Sequence, residues 1–374
     1  MNPLAISRPG IAAGLIAWLF ASSTMAQILI GQTASFTGPV APSVKETFDG
    51  AKLYLDFINQ RGGVNGHTIE LISLDDKFDA KLAAENARKL ITTRGVIALF
   101  LTRGTPQTEA IMPLLAEFKI PLVAPSTGAM VLHSPVNPYI FNVRATYQRE
   151  AERAVRHLAS MAMDRIAVLH SDDSFGSDAA IGADNGFAAI KQAPVVKVTY
   201  SRAKPDFTQA APQIAASKAQ AVLFIGAGSA VADGTRAIRA AGSKAQIVTL
   251  SNNAAGGFIK QMAENAHGTV VMQVFPSERS MTTVLVREAT TLAKGAGNDE
   301  VTPATLEGFA AAKVLVEGLK RAGPTPTRER LIAALNGLSK FDLGGMELSF
   351  SATDHSGLDY ADLSIISVDG KFRR

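Results

Sequence analysis

RIAVLH (165–170), VVKVTY (195–200) and AVLFIG (221–226) are short β-branched, apolar runs separated by helical periodicity at 177–191 and 207–216. Strands of that kind, spaced by helices, form a parallel sheet covered on both faces. Right-handed crossovers wind such units into a doubly wound α/β domain. The alternation extends in both directions. Upstream lie ILIGQT (28–33), IELISLD (69–75), VIALFL (96–101) and PLVAP (121–125), with helical patterns at 43–60, 80–93, 106–118 and 147–162. Downstream lie QIVTLS (246–251) and TVVMQV (269–274), with helical patterns at 229–241 and 256–264. So many units exceed one compact domain of ordinary size, and two parallel-sheet lobes are expected. After residue 275 helices follow at 282–296, 302–322 and 327–338, and strand signals return only at 346–350 and 361–368.

Composition narrows the function. The chain has 374 residues, 47% hydrophobic and 19% charged, which suits folded cores and excludes a disordered chain. It has no cysteine. That excludes a disulfide scaffold, a thiolate metal site, a cysteine nucleophile and a lipidated N-terminal cysteine. With 37 basic against 33 acidic residues, the charge balance offers no footprint for nucleic acid. At the N-terminus one cation, Arg8, precedes the apolar run GIAAGLIAWLFAS (10–22), and Thr24 and Ala26 set a small-residue cleavage pattern. The apolar run is shorter than the about 20 residues of a spanning helix, so residues 1–26 read as a secretory signal cut after Ala26. The mature protein is expected in a periplasm, without a lipid anchor. The lone tryptophan, Trp18, lies inside the signal.

Ligand sites in open α/β sheets lie at the carboxyl ends of the strands. After 96–101 comes Thr102-Arg103-Gly104-Thr105-Pro106, read as a helix start with Thr105 as N-cap and Pro106 at the first helical position. Amides there suit an anion such as a carboxylate, although ordinary capping accounts for most such starts. After 121–125 comes Ser126-Thr127-Gly128, again small and hydroxyl-bearing. In the second half, Phe175 can wall a ligand, Asp172 and Asp173 suit a helix start or solvent, and Ser251-Asn252-Asn253 offers amides without charge. Gly226-Ala227-Gly228 opens like a dinucleotide fingerprint, but Val231 stands where the third glycine belongs and no acid ends the next strand. The six histidines show no metal spacing, and neither a G-x-S-x-G elbow nor a phosphate loop occurs. Catalysis, a metal and a cofactor are not expected.

Several stretches together resemble the periplasmic branched-chain amino-acid-binding proteins, the leucine/isoleucine/valine-binding receptors of ABC importers. They are ILIGQTASFTGPVA with FDGAKLYLDFINQRGGVNGHTIEL (within 28–71), LDDKFDA (74–80), RGTPQTEA (103–110), LVAPSTGA (122–129), FNVR (141–144), IAVLHSDDSFG (166–176) and AIRAAG (237–242). The resemblance implies a type I periplasmic-binding-protein fold, with two lobes joined by three crossovers near 145–147, 274–277 and 355–359. Lobe 1 is then 27–146 plus 277–356, and lobe 2 is 147–276 plus 357–374. It implies hinge closure on a small-molecule ligand and recognition of the closed form by a membrane permease. A monomer is the expectation for such receptors. A ligand-sensing subunit of a signalling system on the same fold is the alternative.

Residue by residue, the resemblance puts Thr105 at the family's carboxylate-binding hydroxyl and Ser126 at a backbone contact. Gly128 stands where a second hydroxyl is lost, with Thr127 beside it. Phe175 and Ala227 replace two tyrosines. Asn252 or Asn253 falls where an acid neutralises the ligand's ammonium. Tyr147 can supply a replacement ring. Arg103 can add a charge to an acid, but an exposed surface role is the plainer reading. A carboxylate half without an ammonium half suggests a small acid, or an amide, rather than a free amino acid.

Overall fold

The computed structural model describes residues 27–298 and 300–374. The signal-peptide reading, with its cleavage site and Trp18, lies outside the described residues. The first sheet holds β1 (Gln27–Ala34), β2 (Thr68–Asp75), β3 (Ala98–Phe100), β4 (Leu122–Val123) and β5 (Ile140–Phe141). They are all parallel, in the order β2-β1-β3-β4-β5. The second holds β6 (Ile166–Ser171), β7 (Val196–Tyr200), β8 (Ala221–Ile225), β9 (Gln246–Thr249), β10 (Val270–Gln273), β13 (Asp362–Ile366) and β14 (Phe372–Arg373). Its order is β14-β13-β10-β9-β8-β6-β7. Between β10 and β13 in sequence, β11 (Phe341–Asp342) and β12 (Glu347–Leu348) form a separate two-stranded ribbon.

Crossover helices cover both faces. They are α1 (Ala41–Gln60), α2 (Ala80–Thr92) and α3 (Thr105–Phe118) on the first sheet, and α4 (Tyr147–Ser160), α5 (Ser174–Ala189), α6 (Ala210–Ala216), α7 (Ser229–Ala240) and α8 (Gly256–Met262) on the second. The two-residue period of the strands explains the layering. In β3, Ala98 and Phe100 enter the core under α1, whereas Leu99 packs under α2 and α3. In β8, Val222 and Phe224 face one core, whereas Ala221, Leu223 and Ile225 face the other. With both faces buried, a central strand is apolar at successive positions, which is the pattern visible in AVLFIG, whereas the edge strands β2 and β7 interleave apolar and polar residues.

The helical block after residue 275, α9 (Val284–Gly295), α10 (Pro303–Arg321) and α11 (Arg328–Asn336), returns to the first sheet and shares its core. The chain then joins the second sheet, because β13 pairs with β10. One point differs from the sequence reading. β13 runs antiparallel to β10 in an otherwise parallel sheet, since the chain enters it from the other lobe rather than through a crossover helix, and β14 pairs back on β13 as a hairpin. The strand signal at 346–350 belongs to the small ribbon, not to either main sheet.

One histidine sits where the connections run side by side. His133 is 6% exposed, with Nδ1 2.9 Å from Ser356 Oγ. Burial, reinforced by the Arg144 charge, lowers its pKa from 6.5 to about 4. Between these values the unfolded chain takes up a proton that the folded chain refuses. The stability held by neutral His133 is therefore intact above pH 6.5 and falls with pH, by about 3 kcal/mol at pH 4. The unfolding free-energy difference between wild type and His133→Gln should shift against the wild type by about 2 kcal/mol between pH 7 and pH 5 in urea titrations. A difference that does not move with pH rejects this assignment.

Candidate functional site

The carboxyl ends of the two sheets meet across a closed cleft. The backbone leaves β3 through Leu101 (φ +54) and Gly104 (φ +93) before entering α3. Gly104, not Thr105, is the N-cap, and Thr105 is the first helical residue. The Thr105 hydroxyl therefore does no capping. It lies 2.7 Å from the Thr127 hydroxyl, and both residues are buried. Ser126 N donates to Thr102 O (2.7 Å), which locks the two loops together. Gly128 accepts from Tyr147 N (2.8 Å), and a Cβ there would lie 2.6 Å from Ala145 O. Its missing side chain thus makes room for the strand-to-α4 connection.

Arg103 overturns its surface reading. It is only 5% exposed. Its Nη1 donates to Ser126 Oγ (2.9 Å), and its Nη2 donates to Ser43 Oγ (3.2 Å) and to Asn252 O (2.6 Å). Ser43 and Ser126 belong to the first lobe and Asn252 to the second, so one guanidinium spans the cleft. All three acceptors are uncharged.

Around it lies a buried charge network that the sequence reading missed. Ser126 Oγ donates to Glu307 Oε1 (2.7 Å) on α10. Arg144 is fully buried, in close contact with Glu150, 2.6 Å from Ser251 Oγ and 3.8 Å from Glu307 Oε1. Glu150 Oε2 also accepts from Ser251 N (2.8 Å). Burial opposes the Arg144 charge, but Tyr147, Glu150 and Glu307 outweigh it and raise its pKa. Burial raises the Glu150 carboxyl, against the pull of Arg144 and the two Ser251 donors. A signal existed in hindsight. Arg144 is a lone cation after the apolar strand YIFNV, and Glu307 is a lone acid inside LEGFAAA, each at a position whose neighbours are core.

In the second lobe, Phe175 stands 4.8 Å from Tyr147, ring centre to ring centre, nearly perpendicular. Tyr147 is 2% exposed and takes the Arg144 guanidinium 4.6 Å above its ring. Tyr147 therefore backs Phe175 instead of presenting its own ring. Asn253 is committed to the fold: Nδ2 donates to Gly226 O (3.0 Å) and Thr249 Oγ1 (2.8 Å), and Oδ1 accepts from Gly228 N (2.9 Å). Asn252 Nδ2 donates to Gly226 O (2.9 Å), while its Oδ1 is buried without a partner. Asp173 caps α5 through Gly176 N and contacts Arg202, and Asp172 is exposed.

Beside these residues lies a cavity of about 300 Å³ whose lining includes Pro39, Phe78, Phe175, Tyr200, Arg202 and Ala227. An apolar cluster of Ala34, Val40, Val44, Phe36, Phe78 and Ala227 contributes Phe78 and Ala227 to this cavity, and Ala34 and Val44 to a much smaller one at Arg103. The lobes also close through Glu46 of α1, whose carboxylate accepts from Gly257 N (2.7 Å), Gly256 N (3.0 Å) and Thr302 Oγ1 (2.7 Å). A Cβ on Gly228 would lie 2.1 Å from Pro39 O, so this close approach requires glycine. Among the described residues, no cluster of His, Asp and Glu is placed to hold a metal ion, and no helix is long and apolar enough to cross a membrane.

A sequence-family model described as periplasmic binding protein matches residues 27–370. The chain is 27% identical over 365 residues to the Leu/Ile/Val-binding protein homolog 3 of Brucella melitensis, covering 94% of this chain and 92% of that one. A substrate-binding periplasmic protein from Ralstonia solanacearum superposes with a TM-score of 0.85 at 30% identity, over 92% of this chain and 99% of that one. A solute-binding protein of an ABC transporter from R. palustris, solved in complex with benzoate, shares the fold at a TM-score of 0.82 and 19% identity, over 93% and 95% of the two chains.

Proposed function

The chain belongs to the periplasmic binding protein family, and from that premise we propose that it is the receptor of an ABC importer for a small carboxylate without a free α-ammonium. The observation that carries this reading is Arg103. A guanidinium buried in the cleft with only uncharged acceptors is a counter-charge for an acid, and it offers the paired donors that a carboxylate takes. The ligand's carboxylate replaces Asn252 O and Ser43 Oγ as the partner of Nη2, and the apolar body lies toward Phe78, Phe175 and Ala227.

The cleft lacks the complementary feature for an ammonium. Asn253 is occupied by its own loop. Asp173 is held by Arg202 and its helix cap. Glu150 and Glu307 already face Arg144. An ammonium desolvated here without a fresh counter-charge costs several kcal/mol. The names of the relatives point two ways, to branched-chain amino acids and to an aromatic acid, and the departures in this cleft favour the acid.

The test is titration calorimetry on protein stripped of co-purified ligand by unfolding and refolding. Leucine, its deaminated counterpart 4-methylpentanoate, and benzoate are compared. An acid should bind at least 100-fold more tightly than leucine. Leucine binding more tightly than both acids overturns the reading and makes Glu307 the ammonium partner.

A further inference from the structure

The geometry points to Arg202 as the residue that closes the outer end of the ligand cavity and sets the longest ligand body accepted. This rests on the proposed carboxylate-receptor function and concerns the far end of the same site. Arg202 follows β7 in the second lobe, on a loop whose neighbours Ala203 and Pro205 are exposed and also line the cavity. Its guanidinium contacts Asp173 of its own lobe, and its backbone N donates to Asp172 Oδ1 (2.9 Å). From that anchor it crosses to the first lobe. There it lies 4.1 Å above the Phe78 ring, and Nη2 donates to Gln107 Oε1 (3.2 Å). The side chain is 18% exposed, so it stands between the cavity and solvent.

The partners on the first lobe are held to each other. Gln107 is 2% exposed and donates to the Phe78 carbonyl (2.6 Å), which ties its amide to the backbone that carries the ring. Gln107 also packs against Gly104, where a Cβ would lie 2.3 Å from Oε1. The clamp is thus one residue removed from Arg103. Opposite Arg202, the buried Ser171, Phe175, Tyr200 and Ala230 form the inner wall. A ligand whose carboxylate sits on Arg103 extends past Phe78 and Ala227 into this space. A body that reaches the Phe78–Arg202 plane must break a stacked, doubly hydrogen-bonded guanidinium before the lobes can close.

The experiment uses calorimetry on the full mature chain and Arg202→Ala, with benzoate, phenylacetate, 3-phenylpropanoate and 4-phenylbutanoate. In the wild type, affinity should fall at least tenfold from one member of the series to the next at some length. In Arg202→Ala that drop should move outward by one or two methylenes, judged on affinities taken relative to the shortest acid, because the lost contact between the lobes weakens every member of the series alike. Arg202→Lys, which keeps the charge and loses the plane, should behave like the alanine variant. Thermal unfolding of both variants establishes that they fold. An unchanged length profile in folded Arg202→Ala overturns the proposal. If the wild type binds leucine and no acid, the carboxylate reading alone falls. The length comparison is then made with alanine, valine, leucine and phenylalanine, and the same outward shift or its absence decides the role of Arg202.

Discussion

Arg103→Met should weaken binding of the proposed acid ligand by at least about 30-fold while leaving the protein folded. Removing one member of a buried, hydrogen-bonded charge pair costs about 2–5 kcal/mol, and each 1.4 kcal/mol is tenfold in affinity. The loss falls on binding because the ligand-free contacts of Arg103 are modest. Ser126 retains Glu307 as its acceptor, and Ser43 retains the carbonyl of Val40. In the ligand-free closed form the substitution also removes the donor to Asn252 O, which the ligand's carboxylate replaces in the proposed pose. Arg103→Lys keeps the charge but loses the paired geometry, and an intermediate loss of about tenfold is expected. Calorimetry at matched salt reads both variants. Binding by Arg103→Met within threefold of wild type rejects Arg103 as the carboxylate partner.

Much of the architecture was legible because its cause is local. The strand ILIGQT occupies β1 and the stretch at 302–322 occupies α10, because period and caps act over a few residues. Thr302 caps α10 through Thr305 N, and Pro303 stands at its first position. The two-residue strand β5 escaped notice, since Ile140 and Phe141 pair only with Leu122 and Val123 and have no period of their own. The candidate site residues were legible as neighbours in space and not in their chemistry. Thr105, Ser126, Thr127 and Gly128 do converge at the end of the first sheet, opposite Phe175, Ala227, Asn252 and Asn253. The pairing of the charges here was not legible, because the partners are remote in sequence. Arg103 meets Asn252 across 149 positions, and Ser126 meets Glu307 across 181. A single sequence cannot tell a cation in a loop from a cation between lobes.

Arg144→Met should lower the unfolding free energy by about 3–5 kcal/mol, the usual cost of leaving a buried carboxylate without its partner. Arg144 stands opposite two acids at once, Glu150 of the second lobe and Glu307 of the first. Methionine fills a similar volume and removes the charge, so the loss is electrostatic rather than a cavity. Adding Glu150→Gln to Arg144→Met should recover part of the stability, because it removes one stranded charge. Replacing a buried pair with uncharged groups costs less than breaking it. Urea unfolding of the wild type, the single variant and the double variant measures this. A double variant less stable than the single one rejects the pairing. The effect should reach ligand binding as well. Glu307, freed from Arg144, still accepts from Ser126 Oγ, the same hydroxyl that receives Arg103 Nη1. The stranded carboxylate then attracts the Arg103 guanidinium and competes with the ligand's own acid. Affinity for the acid should therefore drop in Arg144→Met and return in Arg144→Met/Glu307→Gln, where that competing charge is gone. Recovery of binding in the second double variant without recovery in the first separates competition at Arg103 from general loosening of the lobes.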